Sequence, residues 1–341
     1  MASVASVDEL EDRLSEPTAA VVETLRRFPG DILILGVAGK MGPTLAWMAR
    51  RASDLAGTSR RIIGAARFSD PTVATRLQAH GVETITADLL DRAQLAQLPD
   101  APIVFYMAGR KFGSTGQESL TWAMNCYLPA LVCERYRSSR IVAFSTGNVY
   151  GYVPVTSGGS CESDALNPVG EYAMSCLGRE RIFEHFSLTQ GTHAAIIRLN
   201  YACELRYGVL VDLALKVWHG RPIDLGMSAF NVLWQGDANA MSLAALDQCD
   251  APARIVNVTG PETLLVKRSC EQFGQLLGRE PRFAGTAGAD ALLNNASAAL
   301  ARYGEPRVPP DQLMTWIAEW IRCDKPLLGK PTHFEARDGK F

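Results

Sequence analysis

The stretch Asp31-Ile-Leu-Ile-Leu-Gly-Val-Ala-Gly-Lys-Met-Gly42 decides how the rest of the chain is read. Four apolar residues run directly into Gly36, Gly39 and Gly42, and Pro43 opens a helix-length segment. An apolar run without alternation suits a strand covered on both faces. Glycines at this spacing, between such a strand and a helix, permit a tight turn, close backbone approach to a pyrophosphate and close helix–sheet packing. The helix N-terminus, with Lys40 and Met41 beside it, then faces the anion. A merely tight strand–helix turn is the competing reading.

Working outward, further strand-sized runs occur at 61–66, 83–86, 102–107, 140–144 and 194–198, and one more at 254–258. Helical patterns lie between them near 41–53, 71–79, 115–136 and 170–187. Strand and helix in alternation predict an α/β fold, a doubly wound parallel Rossmann sheet. Past residue 200 helical patterns dominate (207–219, 237–247, 265–278 and 309–322) with Gly/Pro punctuation between them. The expected organisation is an N-terminal helical extension over 1–30, a dinucleotide-binding domain over 31–200 and a smaller, interleaved substrate lobe over 201–341. Residues 232–260 of that lobe return to the sheet. The tail Lys330–Phe341 is polar and lacks helical periodicity, and reads either as a loose end or as a segment folded back over the site or over a partner subunit.

Composition narrows the function classes. The 341 residues are 47% hydrophobic and 21% charged, enough for a large core. Thirty-four Lys and Arg against 36 Asp and Glu leave a net charge of −2, which removes the electrostatic case for a nucleic-acid or anionic-membrane partner. No apolar run approaches the length of a membrane helix, and the first 30 residues do not read as a signal peptide. A cytoplasmic protein is expected. The eight scattered cysteines read as free thiols, and the five histidines show no metal-ligand spacing, so no metal is expected.

The second strand bears on the cofactor. An acid at its end would bond the ribose 2′-hydroxyl of NAD, but the segment closes Gly64-Ala-Ala-Arg67 with no acid before Asp70. Arg67, with Lys40 nearby, suits a 2′-phosphate, so NADP is expected over NAD.

With these residues in view, the chain resembles the NAD-dependent epimerase/dehydratase family, the extended short-chain dehydrogenases, over about 31–325. Gly36, Gly39 and Gly42 match its glycine motif, Asp88-Leu89 its adenine-contacting pair, and Ala108-Gly109 its cofactor-lining loop. Asn125 matches an asparagine of the long central helix, and Thr146 the catalytic Ser/Thr that precedes Val149-Tyr-Gly151. Tyr172 falls at the catalytic tyrosine. The resemblance implies hydride transfer between a nicotinamide and a carbinol or ketone. Tyrosine moves the proton and Thr bonds the same oxygen. It also implies a homodimer through the segments 119–136 and 172–187.

Two departures stand out. The family pattern is Tyr-x-x-x-Lys, whereas here Tyr172-Ala-Met-Ser-Cys176 lacks the lysine. A neutral thiol supplies no field to draw a phenol toward ionisation. Lys111, or Arg110 beside it, is the candidate replacement, and a protein without turnover is the other reading. Second, Phe230 stands where nucleotide-sugar enzymes of the family carry a diphosphate-binding arginine. The expectation is therefore an NAD(P)-dependent oxidoreductase or epimerase acting on a sugar, sugar acid or similar small polyhydroxy compound. Asn148, Asn200, Tyr201 and Lys111 are its candidate substrate contacts. The alternatives are a nucleotide-sugar epimerase or dehydratase, and a silent NADP-binding sensor or scaffold.

Overall fold

The computed structural model describes residues 3–111 and 115–339. A seven-stranded parallel sheet forms its centre. Its strands are β1 (Ile32–Leu35), β2 (Ile62–Ala66), β3 (Glu83–Thr86), β4 (Ile103–Tyr106), β5 (Arg140–Thr146), β6 (Ala194–Leu199) and β7 (Arg254–Val258). Their spatial order is β7-β6-β5-β4-β1-β2-β3. β1, β2 and β4 are buried along their whole length, which explains their unbroken apolar sequences: helices cover both faces. The order reverses beside β1, between β1 and β4. In such sheets the crevice at this switch point, beyond the strands' carboxyl ends, is where ligands bind.

Beyond β6 the chain builds a second core around Phe230, Trp234, Trp316 and Trp320. Trp234 and Trp316 meet edge to face at 5.8 Å, so these indoles are packing groups. The N-terminal helices Val7–Leu14 and Ala19–Arg27 are divided between the cores. Leu10 and Leu14 enter the second core, while Val21 and Leu25 enter the sheet's.

Two expected segments differ in detail. The helical pattern over 115–136 is interrupted: an α-helical turn at Glu118–Trp122 passes into a π-helical turn at Ala123–Tyr127 and then into the helix Leu128–Arg135. Periodicity of 3.6 cannot reveal the extra residue. The tail is not loose. Thr332 donates to the half-buried Asp212 through its backbone N–H (2.8 Å) and its hydroxyl (2.6 Å). Glu335 pairs with Lys216, and Arg337 with Asp290 at 2.6 Å. Phe334, 2% exposed, meets Phe230 edge to face. Polar anchors at irregular spacing hold this segment, so no periodic signal announces it. Its last two residues, 340 and 341, lie outside the described part.

Candidate active site

The turn after β1 is built as its glycines require. Gly36 has φ +84°, and a Cβ there would lie 2.7 Å from the Ala108 backbone in the loop after β4. A Cβ on Gly42 would run into the Val37 carbonyl. The two glycines thus allow the β1 turn, the β4 loop and the helix Gly42–Leu55 to close on one another.

Two cavities flank this turn. The inner one, about 290 Å³, is bounded by Gly36, Gly39, Lys40, Met41 and Gly42 on one side. Lys111, Thr146, Asn148, Tyr172, Asn200 and Tyr201 complete the wall. Every catalytic and substrate candidate except Asn125 therefore faces one space. β5 delivers Thr146 at its carboxyl end, 6% exposed, with its hydroxyl donating to Asn148 Oδ1 at 3.1 Å and accepting the Asn148 N–H. Tyr172 stands in the first turn of the helix Gly170–Gln190. Its hydroxyl is hydrogen-bonded with Thr146 and with Cys176, and burial pushes its pKa well above the ordinary phenol value. The Lys111 ammonium lies 5.6 Å from the Tyr172 ring centroid, and burial draws its pKa down to about 8. Tyr201 holds a left-handed backbone, φ +46°, a conformation that costs roughly 1–3 kcal/mol and clusters at functional sites.

The outer cleft, about 750 Å³, carries Arg67, Arg76, Arg206 and Lys330 along with Asp88 and Gly109. Gly39, Lys40 and Lys111 border both spaces. A cleft of this size, rimmed by cations and entered past a glycine turn, fits a dinucleotide reaching from its base in the outer cleft to its nicotinamide in the inner cavity.

Several expected residues are placed otherwise. Lys40 does not reach toward Arg67. Its ammonium donates to the Ala202 carbonyl at 2.9 Å and rests 3.8 Å from the Tyr207 ring centroid. Burial there lowers its pKa to about 8, and a buried ammonium takes the nearest carbonyl and π-face. Leu89 packs in the core beneath the sheet while Leu90 lines the cleft. Ala108 is buried against the glycine turn, and Met107 faces the inner cavity. Asn125, fully buried, lines neither space. Its amide donates to the Arg110 carbonyl (3.0 Å) and to Ser175 Oγ (2.9 Å), and its Oδ1 accepts from the Arg110 N–H (2.9 Å) and from Arg179 (2.5 Å). It latches the loop bearing Lys111 to the helix bearing Tyr172, a positioning role.

Sequence reasoning missed Arg179, Arg206, Tyr207 and the tail residues Leu328, Lys330 and Thr332, which border the cavities or underlie them. Only Arg179 carried a signal: it stands seven residues after Tyr172, two helical turns along the same face. Phe230 is fully buried against Phe334, so tail and lobe share a hydrophobic contact at the position where the family resemblance calls for an arginine.

The family model of the NAD dependent epimerase/dehydratase family matches residues 32–203, and the chain belongs to that family. Solved structures with the same fold include a UDP-glucose 4-epimerase from Thermotoga maritima with UDP-glucose, 16% identical at TM-score 0.71, covering 86% of this chain and 99% of that one. A dTDP-glucose 4,6-dehydratase from Bacillus anthracis with NAD is 16% identical at TM-score 0.72, covering 86% and 97%. A UDP-glucuronic acid 4-epimerase from Bacillus cereus with NAD is 18% identical at TM-score 0.69, covering 86% and 99%. A search of curated proteins returns no match. Among the described residues no helix is long and apolar enough to cross a membrane.

Proposed function

We propose that this chain is an NADP-preferring oxidoreductase or epimerase that moves a hydride to or from a hydroxyl-bearing carbon of a small sugar, sugar acid or related polyhydroxy compound. The observation that carries the reading is the meeting of Thr146, Tyr172 and Lys111 in one small cavity across from the glycine turn. A bound nicotinamide would supply the hydride acceptor or donor. Thr146 and Tyr172 would bond the reacting oxygen, Tyr172 exchanging its proton with it. Lys111 would lend positive charge to the phenolate that results.

The cavity of about 290 Å³ must hold both a nicotinamide and the reacting group, which favours a small substrate. The burial of Phe230 and the tail across the lobe also argue against a nucleotide handle, although the structural neighbours that carry UDP-glucose keep the nucleotide-sugar reading as the second one. Arg67 in the outer cleft, with no acid at the end of β2, favours NADP over NAD. A homodimer is supported by Leu120, Trp122, Tyr127 and Met174, large apolar side chains left exposed on the two helical segments expected to pair. Eight free cysteines suit a reducing, cytoplasmic setting.

A thermal-shift comparison of NADP⁺, NAD⁺, UDP and a panel of sugars and sugar acids tests this. A ligand at about 100 times its Kd stabilises by roughly 2.7 kcal/mol. A strong NADP⁺ response with none to UDP is expected, and a dominant UDP response would return the nucleotide-sugar reading. On a substrate so found, Tyr172→Phe should abolish turnover.

A further inference from the structure

The lysine that the family pattern places at 176 is absent, yet the structure holds a cation within the same helix. Arg179 is 6% exposed. Its Nη1 donates to the Phe144 carbonyl at 2.6 Å and its Nη2 to Asn125 Oδ1 at 2.5 Å, while Nε meets no acceptor among the described residues. The guanidinium lies 5.6 Å from the Tyr106 ring centroid. Among the described residues no carboxylate comes within 4.0 Å of it. Glu180, the adjacent buried acid, is engaged by Arg198 at 2.8 Å and by Ser145 at 2.5 Å. A buried charge answered only by neutral acceptors is expensive, and packing alone would be served better by an apolar side chain.

The surroundings are shaped to it. A Cβ on Gly109 would collide with Arg179 Nη2, so the glycine lets the loop leading to Lys111 pass close to the guanidinium as it is placed here. Asn125 joins the guanidinium to the same loop. Positions 172, 176 and 179 share one helix face, and the guanidinium's charge acts on both the Tyr172 hydroxyl and the Cys176 thiol, favouring their ionised forms. The other groups around this phenol are Thr146 from β5 and Lys111 from the loop; Tyr106, Cys126 and Glu180 flank Arg179 and Cys176.

We propose that Arg179 is the fixed cation of the reaction centre, a positioning residue that replaces the missing lysine by holding positive potential on the Tyr172 oxygen from behind Cys176. This rests on the reading of Tyr172 as the proton-transfer group. In reduction, the Tyr172 O–H bond would break as its proton passes to the substrate oxygen, a bound reduced nicotinamide would supply the hydride taken up at carbon, and Arg179 would stabilise the phenolate left behind. Oxidation runs the same transfers in reverse. Lys111 sheds its charge above about pH 8, whereas an arginine keeps its charge throughout.

The test places 3,5-difluorotyrosine at 172, an isosteric and more acidic phenol whose single ¹⁹F signal follows ionisation in the intact protein without any substrate. Arg179→Gln retains an amide donor while removing the charge, and should weaken phenol acidity by about tenfold or more. Arg179→Lys should stay within about threefold of the parent at neutral pH. Arg179→Gln combined with Cys176→Lys, which returns a cation to the helix face, should recover the parent midpoint, and it also serves if Arg179→Gln alone does not fold. An unchanged midpoint in folded Arg179→Gln, or no recovery in the double variant, overturns the proposal. Because the titration reads the field at residue 172 directly, a Tyr172→Phe protein that still turns over would defeat the proton-transfer reading separately.

Discussion

Replacing Lys111 by Met should make the protein more stable and less active at once. A lysine drawn down from 10.5 to about 8 by burial holds its charge at pH 7 against a penalty of about 3 kcal/mol. Partial solvent contact and the lost interaction with the Tyr172 ring reduce the net gain to about 2 kcal/mol. For a chain of this size that raises the unfolding midpoint by roughly 3–4 °C. The sign follows from linkage. Between about 8 and 10.5 the unfolded chain binds more protons at this site than the folded one, so the parent gains stability as pH rises through that window. The advantage of Lys111→Met is therefore complete at pH 7, declines above about 8 and is gone near 10.5. Paired thermal and urea unfolding of parent and variant at pH 7, 8, 9 and 10 reads it directly, since unrelated titrations cancel in the difference. A parent that is equally or more stable at pH 7, or a difference that ignores pH, would refute the reasoning. Loss of turnover in the stabilised variant would mark Lys111 as a group kept for chemistry at the expense of stability.

Three further outcomes are expected. Arg67→Ala should weaken NADP⁺ binding by about tenfold or more while leaving NAD⁺ nearly unchanged, as calorimetry can show; equal losses for both would remove Arg67 from the 2′-phosphate. Gly42→Ala sets a methyl against the Val37 carbonyl and should abolish cofactor binding while lowering the thermal midpoint, so retained affinity would count against the turn as the phosphate cradle. Phe334→Ala removes a buried ring packed edge to face on Phe230, a truncation that costs about 3–5 kcal/mol. It should release the tail to limited proteolysis with the sheet intact, and an unchanged cleavage pattern would show that the polar anchors suffice.

Most of the sheet was legible because parallel strands buried on both faces leave unbroken apolar runs, as in β1, β2 and β4; the edge strand β3, Glu-Thr-Ile-Thr, is exposed or half-buried and was marked instead by its β-branched residues. The glycine turn was legible because steric demands leave no other residue type at Gly36 and Gly42. What escaped was of two kinds. Two-residue strands such as Ala229–Phe230, paired with Leu264–Leu265, and the tail's anchors to Asp212 depend on contacts between distant segments and leave no local period. Arg179 escaped because the family pattern marks only the position four residues after Tyr172, occupied here by Cys176. The next turn of the same face lay three residues further on. The contact Lys40 makes was unreadable for a related reason: its position beside the turn was plain, but the Ala202 carbonyl it donates to comes from 162 residues away.

The π-helical turn at Ala123–Tyr127 has a consequence for anyone rebuilding this protein. It is one residue more than a regular helix would use, and each residue turns an α-helix by about 100°. Deleting a residue there would regularise the hydrogen bonding and straighten the segment. It would also swing the preceding turn around the axis and take Asn125 out of reach of Arg110 and Arg179. Grafts, consensus libraries and gapless alignments that treat 118–135 as a uniform helix would import that rotation unnoticed. The irregular turn is the register mark that keeps the two halves of the site in step.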